Sequence, residues 1–341
     1  MKLTRDEFRE RFRAQFVDPA FDAHANEVAS LEAVAWGAYD EGRKAPRTRK
    51  AGSGFKDPQY DLSIDWLAAR DAIKSAQRLH DDPGTQTRIL VVAGASRNEH
   101  TCPGEISKTM RLAFEACAEL RAKDCHVDLL DLSRTTAEYG RTIHPCKACV
   151  STAMPLCHWP CSCYPNHALG QTQDWMNEIY PMWIGAHGIA IITPVYWWQA
   201  PTPLKAMMDR LVCADGGNPD PTSTHGKDAA KAKALELAGW NYPRHLKGRV
   251  FSVLVHGDTE GANGLRQNLH DWLVEMHLEP ANADLARYIG YYQPYATSHD
   301  DLDADEALIK ETRGSMRVLA DRAKRLRTEP ARVELEEARP K

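Results

Sequence analysis

The sequence predicts an α/β protein built on a parallel sheet, and three observations predict it. Short apolar, β-branched runs recur from residue 88 onward, and most are followed by a helical pattern. The most telling stretch is 188–213. There the apolar run 189–192 stops at Thr193-Pro194, three aromatics follow (Tyr196, Trp197, Trp198), and a proline-punctuated helix start carries Leu204, Met207, Met208 and Leu211. Strands spaced by helical patterns imply βαβ units, whose short crossovers require parallel neighbours.

Before that alternation the chain reads as helical over residues 1–85. Thr4 with Glu7 three residues later forms a capping-box pattern, after which Phe8, Phe12 and Phe16 repeat every four residues. A second helix is expected over 25–39. Residues 42–54 read as a basic loop carrying Arg43, Lys44, Arg47, Arg49 and Lys50. Ser63 is placed to cap a third helix ending near Leu79, and Asp81-Asp82-Pro83-Gly84 is a turn cluster that marks the linker. Then come a strand over 88–93, a polar loop over 94–104, a helix over 105–122 and a strand over 126–132. A helix over 173–185 precedes the 188–213 unit. A strand over 249–256, a helix over 262–277 and a last strand over 283–289 complete the alternation. The segment 303–327 is amphipathic through Leu308, Met316, Leu319, Ala323 and Leu326, and the charged residues beyond it read as a frayed tail. The domain expectation is thus a helical extension over 1–85, an α/β domain over 86–295 and a C-terminal helix and tail over 296–341.

Composition narrows the function classes. Among 341 residues, 43 % are hydrophobic and 26 % charged, ordinary for a water-soluble domain. A formal net charge of −4 argues against a nucleic-acid partner. The first residues lack the apolar segment of a signal peptide, and no run approaches the ~20 apolar residues of a membrane span. The expectation is a cytoplasmic protein with no membrane partner, in whose reducing surroundings nine cysteines point to metal or redox chemistry more than to disulfides.

The loop after the first strand of the alternation runs Gly94-Ala95-Ser96-Arg97-Asn98-Glu99-His100-Thr101-Cys102-Pro103-Gly104 and leads into a helix. Hydroxyls, an arginine and free N–H groups at a helix start suit a phosphate. Neither G-x-G-x-x-G nor G-x-x-x-x-G-K-[ST] is present, which disfavours an NAD-type Rossmann site and a P-loop. An ordinary polar βα loop is the alternative.

Three loops together resemble the NAD(P)H-dependent FMN reductase and quinone reductase family of flavodoxin-like proteins, including its iron–sulfur flavoprotein branch. They are Gly94-Ala95-Ser96-Arg97 with His100-Thr101, then Thr193-Pro194-Val195-Tyr196-Trp197 with Leu204-Lys205 and Asp209-Arg210, and a glycine-containing loop from His256 to Ala262. The second match is the most specific. The likeness spans about residues 87–290; His100 stands where the family usually has Asn or Ser. The resemblance implies a doubly wound five-stranded parallel sheet of order 2-1-3-4-5 with FMN at the switch point between the first and third strands. It implies that Ser96, Arg97 and Thr101, with His100 as a further donor, hold the FMN phosphate. Pro194, Val195, Tyr196 and Trp197 would run along the ring, and His256, Gly257, Asp258 and Gly261 would close the other side. It further implies NAD(P)H as hydride donor, a small-molecule electron acceptor (a quinone, a flavin or another aromatic) and a homodimer or homotetramer. No catalytic residue is assigned, since hydride transfer needs no dedicated acid or base.

Five cysteines cluster within the segment 144–167: Cys146, Cys149, Cys157, Cys161 and Cys163. Cys-x2-Cys is a frequent metal half-site, and three further thiols supply enough ligands for zinc or a [4Fe-4S] cluster. The seven-residue gap after Cys149 departs from the compact motif of the iron–sulfur flavoproteins, so a metal-free loop stands beside the two metal alternatives. An iron–sulfur flavoprotein acting as an electron carrier, and a non-enzymatic metal-binding module, are the corresponding functional alternatives. The basic loop could meet the 2′-phosphate of NADPH or be a solvated surface.

Overall fold

Side-chain alternation along the strands sets the layers. In a computed structural model, residues 2–43, 45–101, 104–257, 260–289 and 299–328 are described. The central strands are β3 (Thr87–Ala93), β4 (Cys125–Asp131), β5 (Gly188–Pro194) and β6 (Val250–Gly257). Leu90, Val92, Ile189, Ile191, Val253 and Val255 face one apolar layer, while Ile89, Val91, Ala190, Ile192 and Leu254 face the other. Period-two alternation puts neighbours on opposite faces, so strands this uniformly apolar must be covered on both.

The covering helices follow from that demand. On one face lie α4 (Lys108–Ala122) and α10 (Glu306–Thr328), through Leu112, Ala116, Met316 and Leu319. On the other lie α3 (Ile64–Asp81), α5 (Met176–Gly185), α6 (Thr202–Arg210) and α8 (Ala262–Glu275), through Ile73, Ile179, Trp183, Leu204 and Leu269. Burying each such Leu or Ile contributes roughly 1.5–3 kcal/mol. Every pairing in the sheet is parallel, and the order is β4-β3-β5-β6 with β7 (Glu279–Pro280) and β8 (Leu285–Tyr288) both on the outer edge of β6. The last strand expected over 283–289 forms as β8, and β7 is a short strand the pattern does not suggest. Asp284 lies between them, its carboxylate accepting from the Val253 amide at 2.9 Å and from His270 at 2.7 Å.

The N-terminal helices are α1 (Arg5–Arg13) and α2 (Ala25–Asp40). The capping box of Thr4 and Glu7 forms as the spacing predicts. Three α1 arginines, Arg5, Arg9 and Arg13, converge on the buried carboxylate of Glu32 in α2. The basic segment differs from expectation. Residues Thr48–Lys50 form β1, paired antiparallel with β2 (Asp61–Ser63), and its cations find local acids: Arg43 with Glu41, Arg47 with Asp65, Lys50 with Asp61. A helix not expected from the pattern, α7 (Ala229–Leu237), follows α6, and α9 (His299–Ala304) precedes α10. Lys44, Cys102, Asp258 and the charged tail lie outside the described residues. No helix among the described residues is long and apolar enough to cross a membrane.

Candidate active site

Three loops leave the carboxyl ends of β3, β5 and β6, and they meet because those strands are adjacent. The approach is close: a Cβ on Gly94 would fall 2.8 Å from Thr193 Oγ1, so only glycine lets the two loops start side by side. Between them lies a cavity of about 250 Å³ lined by Arg97, Ser107, Thr109, Tyr196, His256 and their neighbours.

The first wall is built differently from the sequence expectation. The helix after the loop begins at Lys108, not at Glu105, because Ser107 caps it, its Oγ accepting from the Met110 amide at 3.1 Å. Glu105, Ile106, Ser107, Lys108 and Thr109 therefore line the cavity. Arg97 reaches Glu105 at 2.9 Å, and Glu105 also lies 3.7 Å from His299 of α9. The Arg97 Nε is buried with no partner. Thr101 instead staples the loop: its hydroxyl donates to the Asn98 carbonyl at 2.7 Å. His100 is exposed beside Glu99 at 4.0 Å. None of Ser96, His100 and Thr101 lines the cavity; the Ser96 backbone accepts from Thr136 and meets the Tyr196 hydroxyl.

The second wall is the aromatic loop. Tyr196 and Gln199 exchange two backbone bonds, Tyr196 N–H to the Gln199 carbonyl at 2.9 Å and the reverse at 2.8 Å, closing a two-residue hairpin turn. Both turn residues have positive φ, Trp197 at 46° and Trp198 at 63°. That conformation normally selects Asn or Gly. The turn pushes Trp197 outward to 88 % exposure, whereas Pro194, Val195 and Tyr196 line the cavity. Trp198 packs against Gly261, where φ is +109° and a Cβ would meet the indole at 2.8 Å. Gly261 thus serves the site by supporting the loop and does not line the cavity.

The third wall holds His256 and Gly257. His256 is buried, its Nε2 2.8 Å from the Thr109 hydroxyl, and its carbonyl accepts from the Val195 amide at 2.9 Å. Burial pushes its pKa down to about 3, with Lys108 adding to the effect. A neutral imidazole so placed ties β6 to α4 and β5; it is a positioning group. Arg210 belongs to a separate structural pair: it is fully buried against Asp174 at 2.5 Å, and Asp209 pairs instead with Lys205.

The cysteine segment does not assemble the expected ligand set. Among the described residues, no group of three or more His, Cys, Asp or Glu side chains is arranged to hold a metal. Cys149 and Cys163 touch, Sγ to Sγ at 3.4 Å, and the Lys227 ammonium stands 3.5 Å from Cys163 and 3.9 Å from Cys149. The Cys146 sulfur accepts from the Ala148 amide of its own turn, and Cys157 lies in the apolar core with Cys161 packed against it. The zinc and iron–sulfur expectations find no support in this arrangement. The hydrogen bond with Cys163 pulls the Cys149 thiol down to about 7 against the opposing effect of burial, with Lys227 also lowering it.

A doubly wound parallel sheet with a cation, a helix start and aromatic side chains at the ends of its switch-point strands defines a flavodoxin-like nucleotide-cofactor protein. The family model of NADPH-dependent FMN reductase matches residues 87–286. The chain belongs to that family, and membership makes it an FMN-dependent NAD(P)H oxidoreductase. Among solved structures, it is similar to RosB with bound 8-demethyl-8-formylriboflavin-5′-phosphate (13 % identity, 72 % of this chain and 82 % of that one, TM-score 0.49). It is also similar to a flavone reductase (16 %, 70 % and 63 %, TM-score 0.40) and to the apo form of the NADH:FMN oxidoreductase EMOB (14 %, 69 % and 89 %, TM-score 0.39). No curated protein matches the chain.

The residues present fit FMN. The orphaned Arg97 Nε and the N–H groups at the start of α4 offer donors to an anion, with Glu105 on Arg97 as the competing acceptor. The sequence reading missed Ser107, Lys108, Thr109, Glu105 and His299. Ser107 was legible as a capping residue; His299 had no local signal, because it arrives from far along the chain.

Proposed function

We propose that the chain passes hydride equivalents from NAD(P)H, through FMN held at the ends of β3, β5 and β6, to a small aromatic acceptor such as a quinone or a flavin. When bound, FMN supplies the hydride-accepting and hydride-donating centre. Arg97, Ser107, Lys108 and Thr109 would hold its phosphate; Pro194, Val195, Tyr196, His256 and Gly257 would lie along the ring. Ser96, His100 and Thr101 would act by shaping the loop that carries Arg97. The observation that carries this reading is the exposed indole of Trp197, set beside the cavity by a strained turn. The cavity is smaller than the ~300–1,000 Å³ of an enclosing ligand pocket. Only part of FMN would be enclosed, and Trp197 at the exposed edge would be available to contact donor and acceptor in turn. Such alternate use of one site predicts ping-pong kinetics. The absorbance spectrum of the purified protein tests the reading directly. Flavin bands near ~450 nm, or their appearance with bound protein after adding FMN, are expected. A protein that neither carries nor takes up FMN would sink it.

A further inference from the structure

A second cavity, of about 560 Å³, lies at the opposite end of the sheet. Arg249 immediately precedes β6 and lines it, whereas His256 near the other end of that strand lines the flavin cavity. Seven residues of extended chain separate them by roughly 23 Å. The redox reading makes no use of this second cavity, and six of its fifteen lining residues lie outside the family match, among them Phe55, Arg70, Lys74 and Gln77.

Its charge is unbalanced. Five cations line it, Arg70, Lys74, Arg244, Lys247 and Arg249, against a single acid, Asp220. Arg70 is paired with Asp71 and Arg244 with Asp215. Asp220 is occupied locally, accepting from the Lys56 amide at 2.8 Å and from the Thr222 amide and hydroxyl. Arg249 is 3 % exposed and bonds only neutral acceptors: the Ile184 carbonyl at 2.7 Å, Gln77 Oε1 at 3.1 Å and the Lys247 carbonyl at 3.2 Å. Its Nε has no partner at all. Asp81 attracts Arg249 through space without touching it; a buried guanidinium with no carboxylate in contact is costly, and natural interiors supply a counter-ion. Lys74 and Lys247, both exposed at the rim, complete a triad of cations with no carboxylate within 4.0 Å among the described residues. The walls between them are flat and apolar: Phe55, and Trp159 stacked on His245 at 4.9 Å.

We propose that this cavity binds a small organic anion, its phosphoryl or carboxyl group facing Lys74, Lys247 and Arg249 and its planar body against Phe55 and Trp159. The volume suits a ligand of nucleotide size or smaller. One element of the N-terminal extension then has a function: α3 supplies one side of a ligand site remote from the flavin.

The test is calorimetric titration of the FMN-loaded full chain with adenosine 5′-monophosphate and, separately, with benzoate, at fixed ionic strength. Saturable binding of either is expected, the one that binds identifying the head group. The double variant Lys74→Ala/Lys247→Ala is expected to bind about tenfold more weakly or worse, with FMN retention unchanged because both side chains are exposed and far from the flavin cavity. The proposal is overturned if neither probe binds at concentrations up to about 10 mM. It is equally overturned if the double variant binds undiminished, since the anion would then sit at the flavin end.

Discussion

Arg97 is the residue on which the flavin site turns. It faces Glu105 at 2.9 Å, so a phosphate arriving there meets a carboxylate already in place. Removing that competitor by Glu105→Gln is expected to tighten FMN binding several-fold, while Arg97→Ala weakens it by about tenfold or more, the scale of one charge-assisted bond. Dissociation constants from fluorescence quenching of FMN measure both, and weaker binding by the Gln variant would remove Arg97 from the phosphate site. Trp197 is the second such residue. A left-handed backbone costs a non-glycine residue about 1 kcal/mol or more, a cost that persists where the surroundings impose it. Trp197→Gly is therefore expected to keep the thermal midpoint and FMN retention while turnover with aromatic acceptors falls. A parallel loss of stability would show the indole to be packing.

Among the elements, α6 joins the aromatic loop to the cysteine segment. Its first turn follows the aromatic loop, and its last residue, Arg210, is buried among Asp174, the His144 carbonyl at 3.0 Å and the Tyr164 ring at 4.6 Å. That cluster fastens the cysteine segment to the sheet layer. Asp174→Ala leaves a buried guanidinium unpaired and is expected to cost about 3–5 kcal/mol. Asp209→Ala, which removes only an exposed partner of Lys205, should cost about 0.5 kcal/mol or less. Urea unfolding of the two variants measures the difference; equal effects would refute the structural role of the buried pair. Gly261→Ala tests the contact between two site loops in the same way. The Cβ would collide with Trp198 in a backbone region alanine avoids, so a loss of about 1–3 kcal/mol is expected.

At the scale of the whole molecule, buried neutral histidines set the response to acid. His80 and His187 stack at 4.6 Å between α3 and the start of β5, and His187 Nδ1 accepts from the Arg88 amide at 2.9 Å. Burial is the leading cause that holds His80 down to about 3, His187 to about 4 and His256 to about 3. The unfolded chain binds protons at these rings below about pH 6.5 and the folded chain does not, so stability rises with pH between those values. Acidifying from about 6.5 to 5 should lower the unfolding free energy by up to ~1.4 kcal/mol per pH unit for each ring, before carboxylates begin to protonate. Denaturant midpoints across that window measure the slope, and a flat profile contradicts neutral burial.

Much of this was legible in the chain because it rests on local physics. Apolar β-branched runs such as 189–192 specify doubly covered strands, the interleaved helical patterns specify parallel pairing, and Thr4 with Glu7 specifies a helix start. The loops that carry Arg97, Tyr196 and His256 follow strands whose order the family pattern implies, and the three residues line one cavity. What the chain alone left open depended on neighbours distant in sequence. Glu105 stands between Arg97 and His299, a pairing that needs α9 to fold back on the loop. Lys227 enters the cysteine segment from 64 residues beyond Cys163, turning apparent metal spacing into a thiol–ammonium cluster. His299 and Arg249 reach their cavities the same way. Periodicity and capping act through bonds between near neighbours and so are written in the sequence; the balance of charge around a side chain is decided only when remote segments meet.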